Sequence, residues 1–227
     1  MSRRFFWFIV VAIVLMGGLA LLFVLGREQT DTTSVSQTDD TQLANTDTSR
    51  LLIGDPKAPL TIVEYGDYKC PECGKYHQAA GKQIREQYID TGKANLEFRP
   101  FPLFGEDAGL ALYASYCATE QGKFAAYYDT LFGYMWQNYY QYGNEHAASD
   151  TIFTNEKLAE LAKQAGLDGQ TFSTCAAGKT YEQNYNAAVD KAAGDSVQGT
   201  PSVIIRGQKI VGPQPFAIYK TLLDAGV

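Results

Sequence analysis

Two cysteines, Cys70 and Cys73, are separated by two residues and lie between a strand-like run, residues 60–65, and a helix-like run, residues 74–88. A cysteine in the first turn of a helix faces free backbone N–H groups and the positive end of the helix dipole. Both favour the thiolate, which is the nucleophilic form. Pro71 suits this place, because an early helical position has no use for a backbone N–H. The order of strand, CxxC and helix therefore predicts a redox pair; half of a zinc site and an inert structural bridge are the alternatives.

Composition excludes some classes of function. The chain has 227 residues, of which 45% are hydrophobic, so one or two domains with a real core are expected. Its net charge is −6. It therefore lacks the basic excess of a nucleic-acid-binding protein, and we expect no nucleic-acid partner. The four cysteines are an even count, compatible with two disulfides.

The histidines give little support for a metal site. His77 lies four residues after Cys73, one helical turn further on, so a Cys-Cys-His site is the alternative to consider. We interpret His77 as a solvated helix residue and His146 as part of a polar loop at 143–154. The sequence predicts neither a metal nor a cofactor.

The first residues predict a membrane anchor. Residues 5–26 are uncharged and follow Arg3 and Arg4. As a helix this run spans roughly 30 Å, enough for the hydrocarbon core of a bilayer. It has no small-residue cleavage motif, so we predict an uncleaved, single-pass signal anchor. The two arginines place residues 1–4 in the cytoplasm and the rest of the chain outside the membrane. A cleaved signal peptide and a twin-arginine signal are the alternatives.

A polar segment separates this anchor from the folded part of the chain. Residues 27–50 are rich in Thr, Ser, Asp and Gln. They cannot bury enough apolar surface to offset the entropy of ordering, which predicts a flexible linker. The folded domain is expected at residues 51–227.

The pattern within this domain predicts an α/β fold. The strand at 60–65, the CxxC helix and a strand at 96–99 form a β-α-β unit, which implies a parallel pair of strands. Helical patterns fill residues 106–194. Strands at 202–205 and 209–211 and a last helix at 216–225 complete the domain. The fold class is therefore a thioredoxin fold, β-α-β then β-β-α, interrupted by an all-helical insert at about residues 106–194 and preceded by one transmembrane helix.

A second motif precedes the strand at 202–205. Pro201 has no N–H to donate to a sheet, and the Thr200–Pro201 bond is a candidate for the cis isomer. A plain proline at the entry of the strand is the alternative. In proteins with this fold, a cis-proline packs beside the CxxC pair.

Three stretches together resemble the DsbA-like thiol–disulfide oxidoreductases: residues 54–74, residues 117–124 and residues 197–202. The resemblance extends from Gly54 nearly to the C-terminus. It implies an extracytoplasmic enzyme that exchanges disulfides with exported proteins and depends on a membrane or extracytoplasmic redox partner.

The resemblance also implies roles for individual residues. Cys70 matches the exposed nucleophile and Cys73 its buried partner, while Thr200 and Pro201 match the substrate-binding loop. Glu64, six residues before Cys70, matches a buried acid that helps to move protons. A carboxylate in an apolar strand is costly unless it is paired or protonated, which supports this role independently. The alternative is that Glu64 faces solvent at a sheet edge.

One position departs from the family pattern. Glu72 stands where the best-known oxidases of the family have histidine. Its negative charge disfavours the Cys70 thiolate and makes the pair less oxidising, and Lys69 is placed to offset part of this charge. The direction of electron flow stays open between an oxidase and a reductase or isomerase. A non-catalytic holdase that only binds substrates is the alternative of another class.

The remaining features lie in the helical insert. Cys117 and Cys175 are expected to pair in an oxidising compartment, and two buried free thiols are the alternative. A dense aromatic stretch is interpreted mainly as packing, with a substrate-holding apolar surface as the alternative. Its members are Tyr134, Trp136, Tyr139, Tyr140 and Tyr142.

Overall fold

The computed structural model describes residues 49–225. The predicted cytoplasmic residues 1–4, the predicted anchor at 5–26 and all but the last two residues of the predicted linker lie outside the described residues. Between residues 49 and 225, no helix combines the length and the apolar character needed to cross a bilayer.

A mixed sheet of five strands forms the centre of the domain. In spatial order the strands are β1, β3, β2, β4 and β5. Their bounds are β1 Leu51–Ile53, β2 Thr61–Gly66, β3 Asn95–Pro100, β4 Ser202–Ile205 and β5 Gln208–Val211. Strand β2 is parallel to β3 and antiparallel to β4, and the two outer strands pair antiparallel with their neighbours. The predicted β-α-β unit is confirmed, and β2 occupies the centre of the sheet.

Helix α1 follows β2 and carries the CxxC pair at its first turn. It is built from four consecutive segments: an α-helical turn at Pro71–Tyr76, a π-helical one at His77–Gly81, an α-helical one at Lys82–Ile84 and a π-helical one at Arg85–Ile89. The sequence pattern predicted a regular helix here. Gly81 accommodates the wider turn, because a Cβ at this position would lie 3.1 Å from the carbonyl oxygen of Tyr76.

The residues between β3 and β4 are helical, as predicted. The helices are α2 Glu106–Glu120, α3 Phe124–Asn138, α4 Asn155–Gln164, α5 Gly169–Ala177 and α6 Glu182–Gly194. A short 3-10 turn at Tyr140–Tyr142 follows α3, and a second at Glu145–Ser149 lies within the predicted polar loop. A disulfide between Cys117 and Cys175 joins α2 to α5. Helix α7, Phe216–Asp224, follows β5 and packs on α1 and the sheet.

An aromatic cluster joins the helical insert to the sheet beside the CxxC pair. Tyr68 precedes the pair, and its ring centroid lies 4.9 Å from Phe132 of α3 and 5.5 Å from Phe98 of β3. Tyr128 of α3 lies 5.2 Å from Phe98. All four side chains are buried. The loop between β2 and α1 is therefore held between the sheet and α3 by large apolar surfaces, the main source of stabilisation in a protein core.

Candidate active site

The two cysteines lie in direct contact at the start of α1. Cys70 is the N-cap residue of this helix, and its Sγ accepts a hydrogen bond from the backbone N–H of Cys73 at 3.4 Å. Its thiol donates to the carbonyl oxygen of Thr200, also at 3.4 Å. The resemblance implied an exposed Cys70, but the residue is only 3% exposed. The reason is that its side chain folds back onto the first turn of α1 and against Thr200.

Their surroundings separate the two thiols chemically. The Cys73 thiol, as a hydrogen-bond donor, lowers the pKa of Cys70, and the Thr200 side chain and the Cys73 backbone N–H act in the same direction against the effect of burial. Burial, followed by the neighbouring Cys70, raises the pKa of Cys73 well above its usual value. A lowered pKa makes a thiol the better leaving group and increases its thiolate fraction. The arrangement therefore favours ionisation of Cys70 over ionisation of Cys73.

The loop before β4 brings Thr200 and Pro201 to this pair. The Thr200–Pro201 peptide bond is cis. The hydroxyl of Ser202 donates to the carbonyl oxygen of Gly199 at 2.8 Å, which closes the loop on itself. Strand β4 then pairs with β2, where Ser202 lies opposite Tyr65. Because β2 leads directly into the CxxC loop, this register fixes the Thr200 carbonyl beside the Cys70 sulfur.

Glu64 lies in the central strand and is fully buried. It pairs with Phe98 on β3 and Val203 on β4, so the alternative of a solvent-facing edge position is wrong. Its Oε2 accepts a hydrogen bond from the Tyr128 hydroxyl at 2.8 Å, while its Oε1 has no hydrogen-bond partner among residues 49–225. Burial raises the pKa of Glu64 to about 8; the Tyr128 hydrogen bond lowers it, and the negative Cys70 raises it. This carboxyl can therefore give up or take a proton near neutral pH.

Asp67 is a second buried acid, which the sequence analysis did not single out. Its Oδ1 accepts the backbone N–H of Lys69 at 2.8 Å, and its Oδ2 accepts those of Leu103 at 2.8 Å and Phe104 at 3.2 Å. Burial raises its pKa, although these N–H groups and Lys69 act against the shift. Asp67 thereby ties the CxxC loop to the segment between β3 and α2. Its one sequence signal is an acid directly after a buried strand.

Lys69 does not serve the role predicted for it. Its side chain is buried, and its ammonium donates to Asp107 Oδ1 at 2.7 Å and to the carbonyl oxygens of Phe104 and Asp150, both at 2.8 Å. Burial opposes ionisation of Asp107, but Lys69 and two backbone N–H groups lower its pKa below the usual value. Because these partners accept all three N–H groups of its ammonium, Lys69 links the CxxC loop firmly to the helical insert.

The negative charge of Glu72 is paired with Lys75 and not with Lys69. Lys75 Nζ lies 2.5 Å from Glu72 Oε1 and 3.0 Å from Glu145 Oε1. The Lys75 and Glu72 side chains are 42% and 45% exposed, so solvent screens this pair and its contribution to stability is small. Lys75 nevertheless keeps the Glu72 carboxylate beside its own ammonium group on the exposed face of α1.

The two histidines differ in their surroundings. The expectation of a solvated His77 is wrong, because its ring stacks on Phe132 with a centroid distance of 5.0 Å and its side chain is only 18% exposed. Its Nε2 lies 3.2 Å from Asp129 Oδ1. His146 is exposed in the 3-10 turn after α3, as predicted. Over residues 49–225, no group of three or more His, Cys, Asp or Glu side chains is placed to hold a metal ion.

The aromatic stretch at the end of α3 and in the turn after it packs mainly against the domain. Tyr140 is buried and its hydroxyl donates to the carbonyl oxygen of Lys69. It also covers Gly74, where a Cβ would lie 3.1 Å from the Tyr140 ring. Tyr134, Trp136 and Tyr139 are half-buried. Tyr142 differs, with 76% of its surface exposed, so the packing interpretation fits four of the five residues.

The pKa of Glu64 predicts how stability changes with pH. A glutamate in the unfolded chain titrates near 4.5, whereas Glu64 in the folded chain titrates at about 8. Between these values the folded protein holds a proton that the unfolded chain has released, so the free energy of unfolding falls as the pH rises. The fall is at most roughly 1.4 kcal/mol per pH unit. We expect Glu64→Gln to make the fall shallower by removing this contribution.

The measurement is urea unfolding between pH 5 and pH 8. A background with Cys70→Ala and Cys73→Ala removes thiol titration and keeps the burial that is the largest cause of the shift. Glu86→Gln, at an exposed position of α1, is the matched control and should leave the slope unchanged. Equal slopes with and without Glu64→Gln would contradict a protonated, buried Glu64.

Comparisons with known proteins agree with the fold. The family model described as thioredoxin matches residues 45–225. A probable disulfide bond formation protein D from Bacillus cereus is 30% identical over 159 residues, which cover 68% of this chain and 69% of that protein.

Solved structures are similar over most of the described domain. Oxidised BdbD from Bacillus subtilis has a TM-score of 0.63 at 21% identity, covering 78% of this chain and 92% of that chain. Wolbachia pipientis alpha-DsbA1 has a TM-score of 0.62 at 25% identity, covering 78% and 89%. The family model and the Bacillus cereus relative show common ancestry with this chain. The solved structures show the same fold with a helical insert. The chain therefore belongs to the thioredoxin family, among its DsbA-like thiol–disulfide oxidoreductases.

Proposed function

We propose that this thiol–disulfide oxidoreductase works through Cys70 and Cys73 on exported proteins that carry free thiols. A substrate thiolate attacks the Cys70 sulfur of the oxidised pair, the Cys70–Cys73 bond breaks, and Cys73 leaves as a thiolate. A second substrate thiolate then attacks the substrate sulfur of the mixed disulfide and releases the Cys70 thiolate. The substrate loses two electrons and the enzyme pair gains them.

The observation that supports these roles is the asymmetry of the two thiols. The pKa of Cys70 is lowered by the hydrogen bonds around it, and that of Cys73 is raised by burial. Cys70 is therefore the better leaving group when the mixed disulfide is resolved. Cys73, which is fully buried, is shielded from attack by a second protein.

We assign substrate binding to Thr200 and Pro201. The Thr200 carbonyl oxygen lies 3.4 Å from the Cys70 sulfur. An extended peptide whose cysteine reaches Cys70 would therefore pass the backbone of this loop. Hydrogen bonds between backbones recognise such a peptide without regard to its sequence, which suits an enzyme with many substrates.

We assign proton transfer to Glu64. When Cys73 leaves as a thiolate, the protonated Glu64 carboxyl donates its proton to it, and the reverse transfer activates Cys73 when the pair is reoxidised. A pKa of about 8 keeps Glu64 protonated at neutral pH yet able to release its proton. Burial and, after it, Glu64 and Cys73 raise the pKa of Tyr76, and this shared neighbour supports the proposed pairing of the acid with the thiol.

We propose that the pair acts as an oxidant. A stabilised reduced form makes a disulfide oxidising, and the lowered pKa of Cys70 indicates such stabilisation. Glu72 opposes it less than the sequence alone suggests, because Lys75 pairs with it at 2.5 Å. A membrane or extracytoplasmic redox partner would then reoxidise the enzyme.

We also propose that residues 5–26 anchor the enzyme in the cell membrane with the catalytic domain on the extracytoplasmic side. The support is the uncharged run behind Arg3 and Arg4 and the polar segment 27–50 that separates it from the domain. One of the structural neighbours is a periplasmic thioredoxin-like protein from Salmonella enterica, which fits this compartment.

Trapping experiments test the roles of the cysteines. Cys70→Ser should abolish oxidation of a peptide dithiol, because no sulfur remains to form the mixed disulfide. Cys73→Ser should keep Cys70 reactive and accumulate a mixed disulfide with a substrate that has been oxidised beforehand, detected by mass spectrometry. Full turnover by Cys70→Ser, or accumulation in Cys70→Ser rather than Cys73→Ser, would contradict the assignment.

The reduction potential tests the direction of electron flow. Equilibration of residues 45–227 with glutathione should give a potential near or above that of the glutathione couple. Lys75→Met exposes the charge of Glu72 and should lower the potential by about 10 mV, the size expected for an exposed ion pair. Lys82→Met, also exposed on α1, is the control. A potential well below the glutathione couple would identify an electron donor instead.

Membrane extraction tests the anchor. The full chain should stay with the membrane fraction after alkaline extraction, and a chain lacking residues 5–26 should be released. A protease added outside the membrane should digest the catalytic domain. A mature N-terminus located after residue 26 would show a cleaved signal peptide.

A further inference from the structure

The loop at 196–201, which carries the proposed substrate-binding residues, is held at both of its ends by Tyr65 of the central strand. After the loop, Ser202 lies opposite Tyr65 where β4 pairs with β2. Before the loop, Asp195 follows helix α6, and its Oδ2 accepts a hydrogen bond from the Tyr65 hydroxyl at 2.6 Å. Tyr65 thus contacts the residue that precedes this loop and the residue that follows it.

An arginine on the neighbouring strand completes the contact at Asp195. Arg99 lies opposite Tyr65 on β3, and its Nη1 donates to Asp195 Oδ2 at 2.7 Å and to the Tyr65 hydroxyl oxygen at 2.8 Å. The guanidinium lies 5.4 Å from the centroid of the Tyr65 ring. Its Nε donates to Glu97 Oε1 at 2.6 Å, which holds the arginine from the other side. Tyr65, Arg99 and Asp195 are called the loop clamp below.

The buried member of the loop clamp is the tyrosine. Tyr65 is fully buried, whereas the Arg99 and Asp195 side chains are 17% and 37% exposed. Burial, followed by the hydrogen bond to Asp195, raises the pKa of Tyr65 to about 12, so its hydroxyl remains a donor at neutral pH. Solvent screens the ion pair between Arg99 and Asp195 in part. The hydroxyl of Tyr65 therefore joins the loop to the core of the domain.

The backbone just before the loop has a conformation that needs such support. Ser196 has a φ of 53°, in the left-handed region that residues with a side chain seldom adopt. The Lys209 ammonium of β5 donates to the carbonyl oxygen of Asp195 at 3.1 Å and to that of Ser196. The Val197 N–H donates to the carbonyl oxygen of Ala192 at 2.8 Å. A sparsely populated conformation persists where the surrounding contacts determine it.

The loop clamp lies close to the reacting sulfur along the chain. Tyr65 is five residues before Cys70, and Thr200 is five residues after Asp195. The Thr200 carbonyl oxygen lies 3.4 Å from the Cys70 sulfur. A shift of the loop would change this distance, and it would also move the backbone that an extended peptide meets on its way to Cys70.

We propose that Tyr65 is a positioning residue for substrate binding. Its hydroxyl, through Asp195, holds the 196–201 loop where the loop backbone receives an extended peptide. A loop that is ordered before the peptide arrives loses less conformational entropy on binding, so the affinity is higher. The inference rests on the proposed substrate-binding role of this loop and adds what keeps the loop in place.

Kinetics with two dithiols of different size test this role. Tyr65→Phe keeps the ring in the core and removes only the hydroxyl. It should raise KM for the oxidation of an extended peptide dithiol about fivefold, the size expected for one hydrogen bond, and leave kcat unchanged. Dithiothreitol has no peptide backbone for the loop to bind, so its oxidation by the same variant should keep its rate. A variant that was merely less stable would lose both activities in proportion.

Two variants of Asp195 extend the test to the acceptor. Asp195→Asn keeps an oxygen that can accept the Tyr65 hydroxyl and should preserve KM for the peptide. Asp195→Ala has no acceptor and should match Tyr65→Phe. Tyr65→Phe and Asp195→Ala combined should be no worse than either alone, because both remove the same contact.

The chain offers a matched control at the opposite end of α1. The Tyr88 hydroxyl donates to Asp224 Oδ1 at 2.5 Å, and Lys220 donates to that hydroxyl at 3.3 Å, so the same kinds of group meet there. Tyr88→Phe removes a hydroxyl from an equivalent tyrosine, carboxylate and cation. It should leave KM for the peptide unchanged.

Hydrogen–deuterium exchange reads the state of the loop without any substrate. In Tyr65→Phe, the backbone amides of residues 196–200 should exchange faster than in the unchanged enzyme. In Tyr88→Phe they should exchange at the unchanged rate. This measurement is independent of the proposed function.

Each other result overturns the proposal. Unchanged exchange in Tyr65→Phe would show that the hydroxyl does not hold the loop. Equal losses with the peptide and with dithiothreitol, or the same change of KM in Tyr88→Phe, would show a general structural role. Faster exchange with an unchanged KM would show that the loop does not set substrate binding, while disulfide exchange by Cys70 and Cys73 would stand. If the unchanged enzyme oxidised neither dithiol, the proposed function itself would be wrong.

Discussion

The hydrogen bond from the Cys73 backbone N–H to the Cys70 sulfur is the contact on which the rest of the site depends. It forms because Cys70 is the N-cap of α1, so its side chain occupies the place where a helix lacks internal acceptors. The same contact brings the buried Cys73 thiol close enough to lower the pKa of Cys70. One local feature, a cysteine at a helix start, thus creates the chemical difference between two otherwise identical side chains.

Holding this contact requires a rigid loop, and buried polar groups provide it. Asp67 binds three backbone N–H groups, and Lys69 binds a carboxylate and two carbonyl oxygens. Buried charges are costly unless their partners are complete, and removing one partner costs more than the pair contributes. These two residues therefore specify one position of the CxxC loop between the sheet and the helical insert more than they add stability.

The elements of the fold were predictable because their signals are local. Apolar runs, glycine and proline stops and the CxxC motif placed the strands and helices within a few residues, and the parallel pairing of β2 with β3 follows from their connection through a helix. The role of Lys69 was predicted wrongly, since its acceptors lie 35 to 81 residues away along the chain. The partner of Glu64, Tyr128, was not identifiable for the same reason. The π-helical turns of α1 are not visible in the periodicity of the sequence.

The burial of Glu64 raises the pKa of its carboxyl and also separates that carboxyl from solvent. Exclusion of water raises the pKa of Glu64 to about 8, which makes it a proton donor that a solvent-exposed glutamate would not be at neutral pH. The same exclusion would leave the acid unable to exchange its proton with solvent between turnovers. Complete burial of Glu64 therefore raises the pKa of the acid and limits its contact with water at the same time. The Tyr128 hydroxyl, which is hydrogen-bonded to the carboxyl, lowers the pKa against the effect of burial and so influences how readily the proton is given up.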